Sequence, residues 1–145
     1  MSVLRMDNVG VVVTDLDEAV AFFGALGLEL EGRATVEGPD VDRLVGLDGV
    51  RCDMAVVRTP DGHGRLELMR FGSPSSPAGD PDAAVNVPGI RRIMFAVTDV
   101  AETLSRLRRH GAAPVGDVVP FGGAHVLAYV RGPGGILVAL AEETS

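Results

Sequence analysis

Tryptophan is absent from this chain of 145 residues, tyrosine occurs once, cysteine occurs once, and aromatic residues make up 4% of it. A single cysteine, Cys52, excludes an internal disulfide framework and any multi-cysteine zinc or iron–sulfur site. The scarcity of aromatics leaves little for stacking flat ligands. No apolar run approaches the ~18 residues of a membrane-crossing helix. The start lacks a basic stretch followed by a long apolar one, so the expected location is cytoplasmic, with no membrane partner. Thirteen Lys and Arg stand against twenty Asp and Glu, a net charge of -7. That balance argues against nucleic acid, whose phosphates attract basic surfaces. It permits a cationic or neutral small molecule. No Walker loop, G-x-S-x-G elbow or H-E-x-x-H motif is present, so those chemistries have no support. What remains is 46% hydrophobic, with 19 Gly and 9 Pro. That suits one domain over 1–145 with a real core.

The chain is written twice. Val13-Thr14-Asp15-Leu16-Asp17-Glu18 returns as Val97-Thr98-Asp99-Val100-Ala101-Glu102. The same offset carries Val20 onto Leu104, Phe23 onto Leu107 and Gly27 onto Gly111. Val9 to Val13 and Ile93 to Val97 are short, apolar and β-branched, as buried strands are. Each is followed by Asp and, three residues on, Glu. This pattern starts a helix: the Asp accepts a first-turn N–H and the Glu reaches back. Leu16, Val20 and Phe23 share one helical face, as do Val100, Leu104 and Leu107. Gly27 and Gly111 suit helix ends. Arg106, Arg108, Arg109 and His110 suit the negative end of the second helix.

Strands are expected next over 28–37, Arg51 to Arg58 and Arg65 to Arg70. A loop at Gly38 to Gly49 contains a helical turn over Val41 to Leu44. The second half continues with strands over Ala112 to Val119, Ala124 to Arg131 and Ile136 to Ala141. Thr59-Pro60-Asp61-Gly62 and Gly132-Pro133-Gly134-Gly135 read as turns. The repeat units cover about 1–71 and 90–145. A connector rich in Ser, Pro, Gly and Asp, residues 72–89, joins them. The fold class is α+β, two tandem βαβββ units.

This doubled unit resembles the vicinal oxygen chelate superfamily of glyoxalase, bleomycin-resistance and dioxygenase proteins. The residues that carry the resemblance are Asp15-Leu16, Ala19, Phe22-Phe23, Leu26-Gly27-Leu28, Pro60-Asp61-Gly62 and Leu66-Glu67-Leu68. In the second half they are Phe95, Val97, Asp99-Val100 and Pro133-Gly134-Gly135. The resemblance spans nearly the whole chain. It implies a half-open barrel of two units, with four positions facing its centre. In metal-dependent members these are typically His, Glu, His and Glu. Here they are Asn8, Glu67, Arg92 and Ala139. Glu67 is the only usual ligand retained. Arginine cannot donate a lone pair and repels a cation. The expectation is therefore no cofactor. A divalent metal held through unusual ligands is disfavoured.

Glu67 and Arg92 admit two readings. They close an empty barrel centre as an ion pair. Or Arg92 clamps an anionic substrate group while Glu67 acts as base or acceptor. Asn8 would orient either one. Period-two alternation puts His125, Leu127, Tyr129 and Arg131 on one strand face. If that face is the cup interior, His125 and Tyr129 contact substrate. The opposite register buries Val126, Ala128 and Val130 and leaves His125 and Tyr129 outside. His63, in a turn, and His110, at a helix end, read as structural, as does the strand residue Cys52.

The candidate functions follow. One is a metal-independent lyase or isomerase acting on a small molecule in the cup, with Glu67 and Arg92 catalytic and Asn8, His125 and Tyr129 binding substrate. A second is a non-catalytic sequestering protein of the bleomycin-resistance type, which the acidity favours and the few aromatics disfavour. A third is a metal-dependent dioxygenase or lyase with unusual ligands. The resemblance also implies a homodimer, since curled half-sheets leave edges for a two-fold partner.

Overall fold

A computed structural model describes residues 2–144. It divides into two compact units, Met1–Ala78 and Gly79–Ser145, built alike.

In the first unit, β1 (Val9–Val12) leads into α1 (Leu16–Leu26), then β2 (Glu29–Glu37), a short α2 (Pro39–Val45), β3 (Arg51–Arg58) and β4 (Arg65–Ser73). The sheet order is β1-β4-β3-β2, with β1 parallel to β4 and the other pairs antiparallel. α1 starts as its sequence dictates: Asp15 Oδ1 accepts the Glu18 N–H at 3.0 Å. It ends at Gly27, whose φ of 121° is costly for any residue with a Cβ. Its buried face, Leu16, Ala19, Phe22, Phe23 and Leu26, covers Leu66 and Leu68 of β4 and Ala55 and Val57 of β3. The sheet's other face carries no helix of this unit. Glu31 sits at a bulge in β2. Its carboxylate takes two donors of Arg65, at 3.0 Å each, and this pairing holds its pKa below the usual range.

The second unit repeats the plan: β5 (Arg92–Ala96), α3 (Val100–Arg108), β6 (Ala113–Pro114), β7 (Val119–Phe121), β8 (His125–Arg131), one helical turn and β9 (Leu137–Glu143). The order is β5-β9-β8-β6, with β7 also on β8. The strand expected over Ala112 to Val119 is thus two pieces. Proline at 114 and 120 lacks an N–H for the ladder, and the chain bends at Val115-Gly116 between the pieces. Asp99 Oδ1 accepts the Glu102 N–H at 2.9 Å. Glu102 does not reach back as the sequence pattern suggests; its carboxylate takes Arg106 at 2.6 Å instead. Among the described residues, no helix of either unit is long and apolar enough to cross a membrane.

A residue from the end of the chain completes the α3 start. Glu142 Oε1 on β9 accepts the Val100 N–H at 2.8 Å. A part-buried carboxylate on a helix N-terminus answers an orphan donor and the helix dipole together. Glu142→Ala is expected to lower stability by about 1–2 kcal/mol. Chemical denaturation of both proteins measures it. An unchanged midpoint would show that water serves Val100 equally well.

The connector is tied to the second unit. Arg91 donates to the carbonyls of Ala83 at 3.4 Å and Ala84 at 3.0 Å. Arg131 Nη1 donates to Pro81 O at 3.3 Å.

Candidate ligand-binding faces

Strand alternation decides which side chains reach the helix-free face of each sheet. In the first unit Leu66 and Leu68 face α1, so Glu67 and Met69 point the other way. Glu67 is half-buried and pairs with Gly10 on β1 and Val56 on β3. Gly10 keeps the surface beside it low: a Cβ there would come within 2.8 Å of Met69 Cε. Asn8 lies one residue before β1 and is exposed. Within this unit no arginine or lysine pairs with Glu67 among the described residues.

In the second unit Ala128, Val130, Val138 and Leu140 are buried on the side where α3 packs. His125, Leu127, Tyr129 and Arg131 therefore project from the helix-free face. Of the two arrangements left open by the sequence, Ala128 and Val130 form the buried row with Val126 half-buried beside them, and His125 and Tyr129 stand on the other face. Across the sheet, Ala139 is flanked by Met94 and Tyr129. Arg92, on the same face, lays its guanidinium 5.4 Å from the centre of the Tyr129 ring. Such a stacked cation gains about 0.5–1 kcal/mol when exposed and keeps its edge donors free. His125 is exposed at the start of β8, opposite Glu143.

The four positions that the family resemblance assigns to a metal carry the wrong chemistry for one. Ala139 is a methyl group, wholly buried. Arg92 is a permanent cation engaged with Tyr129. Asn8 offers one neutral oxygen and Glu67 one carboxylate. This set does not fit a divalent ion, which needs several anionic or imidazole donors. No other cluster of three His, Cys, Asp or Glu suited to a metal occurs among the described residues. Cys52 is buried on β3, and burial raises its pKa, which is the opposite of an activated thiol. His63 sits in its turn, where its N–H donates to Asp61 at 3.0 Å.

The doubled βαβββ plan, with one sheet and one main helix in each unit, defines an α+β protein. Residues 5–140 match the family model for the Glyoxalase/Bleomycin resistance protein/Dioxygenase superfamily. The chain belongs to that superfamily. Among solved structures, it is similar to a glyoxalase family protein from Bacillus cereus, at 48% identity over 100% of this chain and 97% of that one, with a TM-score of 0.96. It shares the fold of an antibiotic binding protein from a Streptomyces species, at 19% identity, covering 99% and 98% of the two chains, with a TM-score of 0.60. It likewise shares the fold of a fosfomycin resistance protein from Listeria monocytogenes, seen in complex with Mn(II), at 15% identity, covering 99% and 92%, with a TM-score of 0.62. No curated protein matches the sequence significantly.

Proposed function

We propose that the protein binds a small molecule on its helix-free sheet faces and acts on it without a divalent ion, as a metal-independent lyase or isomerase. One observation carries this reading. Arg92, stacked on Tyr129, stands at a position where metal-dependent members of the superfamily hold a histidine. A fixed cation there suits an anionic substrate group or a developing oxyanion. Glu67 is the carboxylate available to take and return a proton. Asn8, His125 and Tyr129 are the proposed substrate contacts. Sequestration without turnover is the second reading. It is favoured by Val12 at 54% and Met94 at 45% exposure on the same faces, which suit an apolar ligand body, and by the net charge of -7.

A thermal-shift screen of small carboxylates, CoA thioesters, glutathione adducts and cationic antibiotics tests both, because a ligand raises the melting temperature by linkage. An anion is expected to stabilise the wild type, with affinity about tenfold lower or worse in Arg92→Met. Equal stabilisation of the two would exclude the clamp. Stabilisation by cationic antibiotics alone would favour sequestration.

We also propose a homodimer. β1 and β5 are end strands of their sheets, and Val3, Leu4 and Met6 beside β1 are exposed. Light scattering should give twice the 15.1 kDa chain mass; a monomer would overturn this.

A further inference from the structure

Every arginine of the first unit is ion-paired with an Asp or Glu. The second unit departs from this. Its one ion pair among the described residues joins Arg106 to Glu102. Arg108 and Arg109 close α3, where the helix dipole suits them. Arg91, Arg92 and Arg131 have no carboxylate partner among the described residues, and they gather at one end of the sheet.

Register brings two of them together. Arg92 on β5 and Arg131 on β8 both lie opposite Leu137, one on each side of β9. Their Cα atoms are thus about two strand spacings apart, roughly 10 Å, on the helix-free face. Arg92 lies over Tyr129, two residues before Arg131, so its guanidinium reaches across β9 toward the strand that carries Arg131. The connector holds the third charge beside them. Arg131 Nη1 donates to Pro81 O at 3.3 Å, and Arg91 Nη2 to Ala83 O at 3.4 Å and Ala84 O at 3.0 Å. These carbonyls belong to one turn, closed by the Ala83 N–H on Asp80 O at 3.2 Å.

The acids nearest in the chain do not neutralise the cluster. Asp80 takes the Asp82 N–H at 2.9 Å, and neither forms an ion pair with an arginine. Arg91 Nε is buried without an acceptor. His125 and Glu143 stand at the far end of β8 and β9, six residues from Arg131, roughly 20 Å. Three cations answered only by carbonyl oxygens repel one another, and an anion bound among them removes that cost. One carboxylate is satisfied by one guanidinium fork. Two forks on one face suit a head with three terminal oxygens and two charges.

We propose, resting on the anion-clamp reading of Arg92, that this end of the second sheet binds the phosphate head of a small phosphate monoester. Arg92 takes two oxygens with the edge donors its stack leaves free. Arg131 takes the third with donors that Pro81 does not use. Arg91 stays on the connector and adds its charge. The ester's organic body lies along Met94 and Leu127, the apolar side chains further down the same face.

Amide NMR titrations of the full chain test it, at constant ionic strength and pH 8, where a phosphate monoester is a dianion. The probes are propyl phosphate, butyrate and inorganic phosphate. Propyl phosphate should bind about tenfold or more tighter than butyrate, and tighter than inorganic phosphate, which has no apolar body. Arg92→Met should weaken propyl phosphate and butyrate alike. Arg131→Met should weaken propyl phosphate about tenfold and butyrate little, so the preference for the phosphate head is lost. Arg131→Lys keeps the charge and should restore most of that preference, with a wild-type melting temperature. The clamp at Arg92 fails if Arg92→Met leaves butyrate affinity unchanged. The phosphate monoester is overturned, with the clamp left standing, if propyl phosphate binds no tighter than butyrate or inorganic phosphate. It is equally overturned if Arg131→Met keeps the preference, or if Arg131→Lys behaves as Arg131→Met, which would place the effect in a loosened connector.

Discussion

Gly135→Ala should destabilise the protein by about 2–4 kcal/mol, against roughly 1 kcal/mol for its neighbour Gly134→Ala. Both glycines lie in the turn between β8 and β9 with positive φ, 84° and 68°, so both substitutions incur backbone strain. They differ in what the new methyl meets. At Gly134 it enters open space, whereas at Gly135 it would fall 2.1 Å from Pro81 O and 2.5 Å from Pro81 Cα. Backbone cannot yield as a side-chain tip does, so either the turn or the connector must move. The connector has few anchors, the Arg91 and Arg131 bonds to residues 81–84, and it is expected to detach. Hydrogen exchange over 80–84 and thermal denaturation measure the two parts of the effect. Equal losses for the two glycines would show that Pro81 does not approach as described.

Phe22→Ala should cost about 3–5 kcal/mol, the range for an aromatic removed from a packed core. Phe22 and Phe23 are both fully buried and meet edge to face, with centroids 5.1 Å apart. The repeat sharpens the expectation. Phe22 corresponds to Arg106 in the second unit, whose side chain is 37% exposed. α3 thus keeps a narrow apolar stripe while α1 buries a second aromatic row. Phe22→Leu should cost less than about 1.5 kcal/mol. Urea denaturation of the three proteins checks the ranking; near-neutral Phe22→Ala would contradict the packing of α1.

The elements with local signals were legible in the sequence. Asp15 and Asp99 announce their helices because an Asp cap is a three-residue interaction. Val9 to Val12 shows as a strand because three of its four residues are the β-branched valine. Interactions across strands were not legible. Glu142 on Val100 joins residues at opposite ends of the second unit. The Arg92–Tyr129 stack spans β5, β9 and β8. β4 runs on to Ser73 because β3 continues to pair with it, although Gly72 and Ser73 read as connector. The resemblance located Asn8, Glu67, Arg92 and Ala139, but only strand alternation showed Glu67 and Arg92 on helix-free faces.

Calorimetric titration of chelator-free protein with Ni, Zn, Mn and Fe, in wild type and Glu67→Gln, bears most directly on a metal-independent site. No stoichiometric binding to either protein is expected, because one carboxylate and one neutral amide oxygen do not hold a divalent ion against water. Stoichiometric binding to the wild type that disappears in Glu67→Gln would contradict it, and would return this chain to the metal-dependent members of its superfamily.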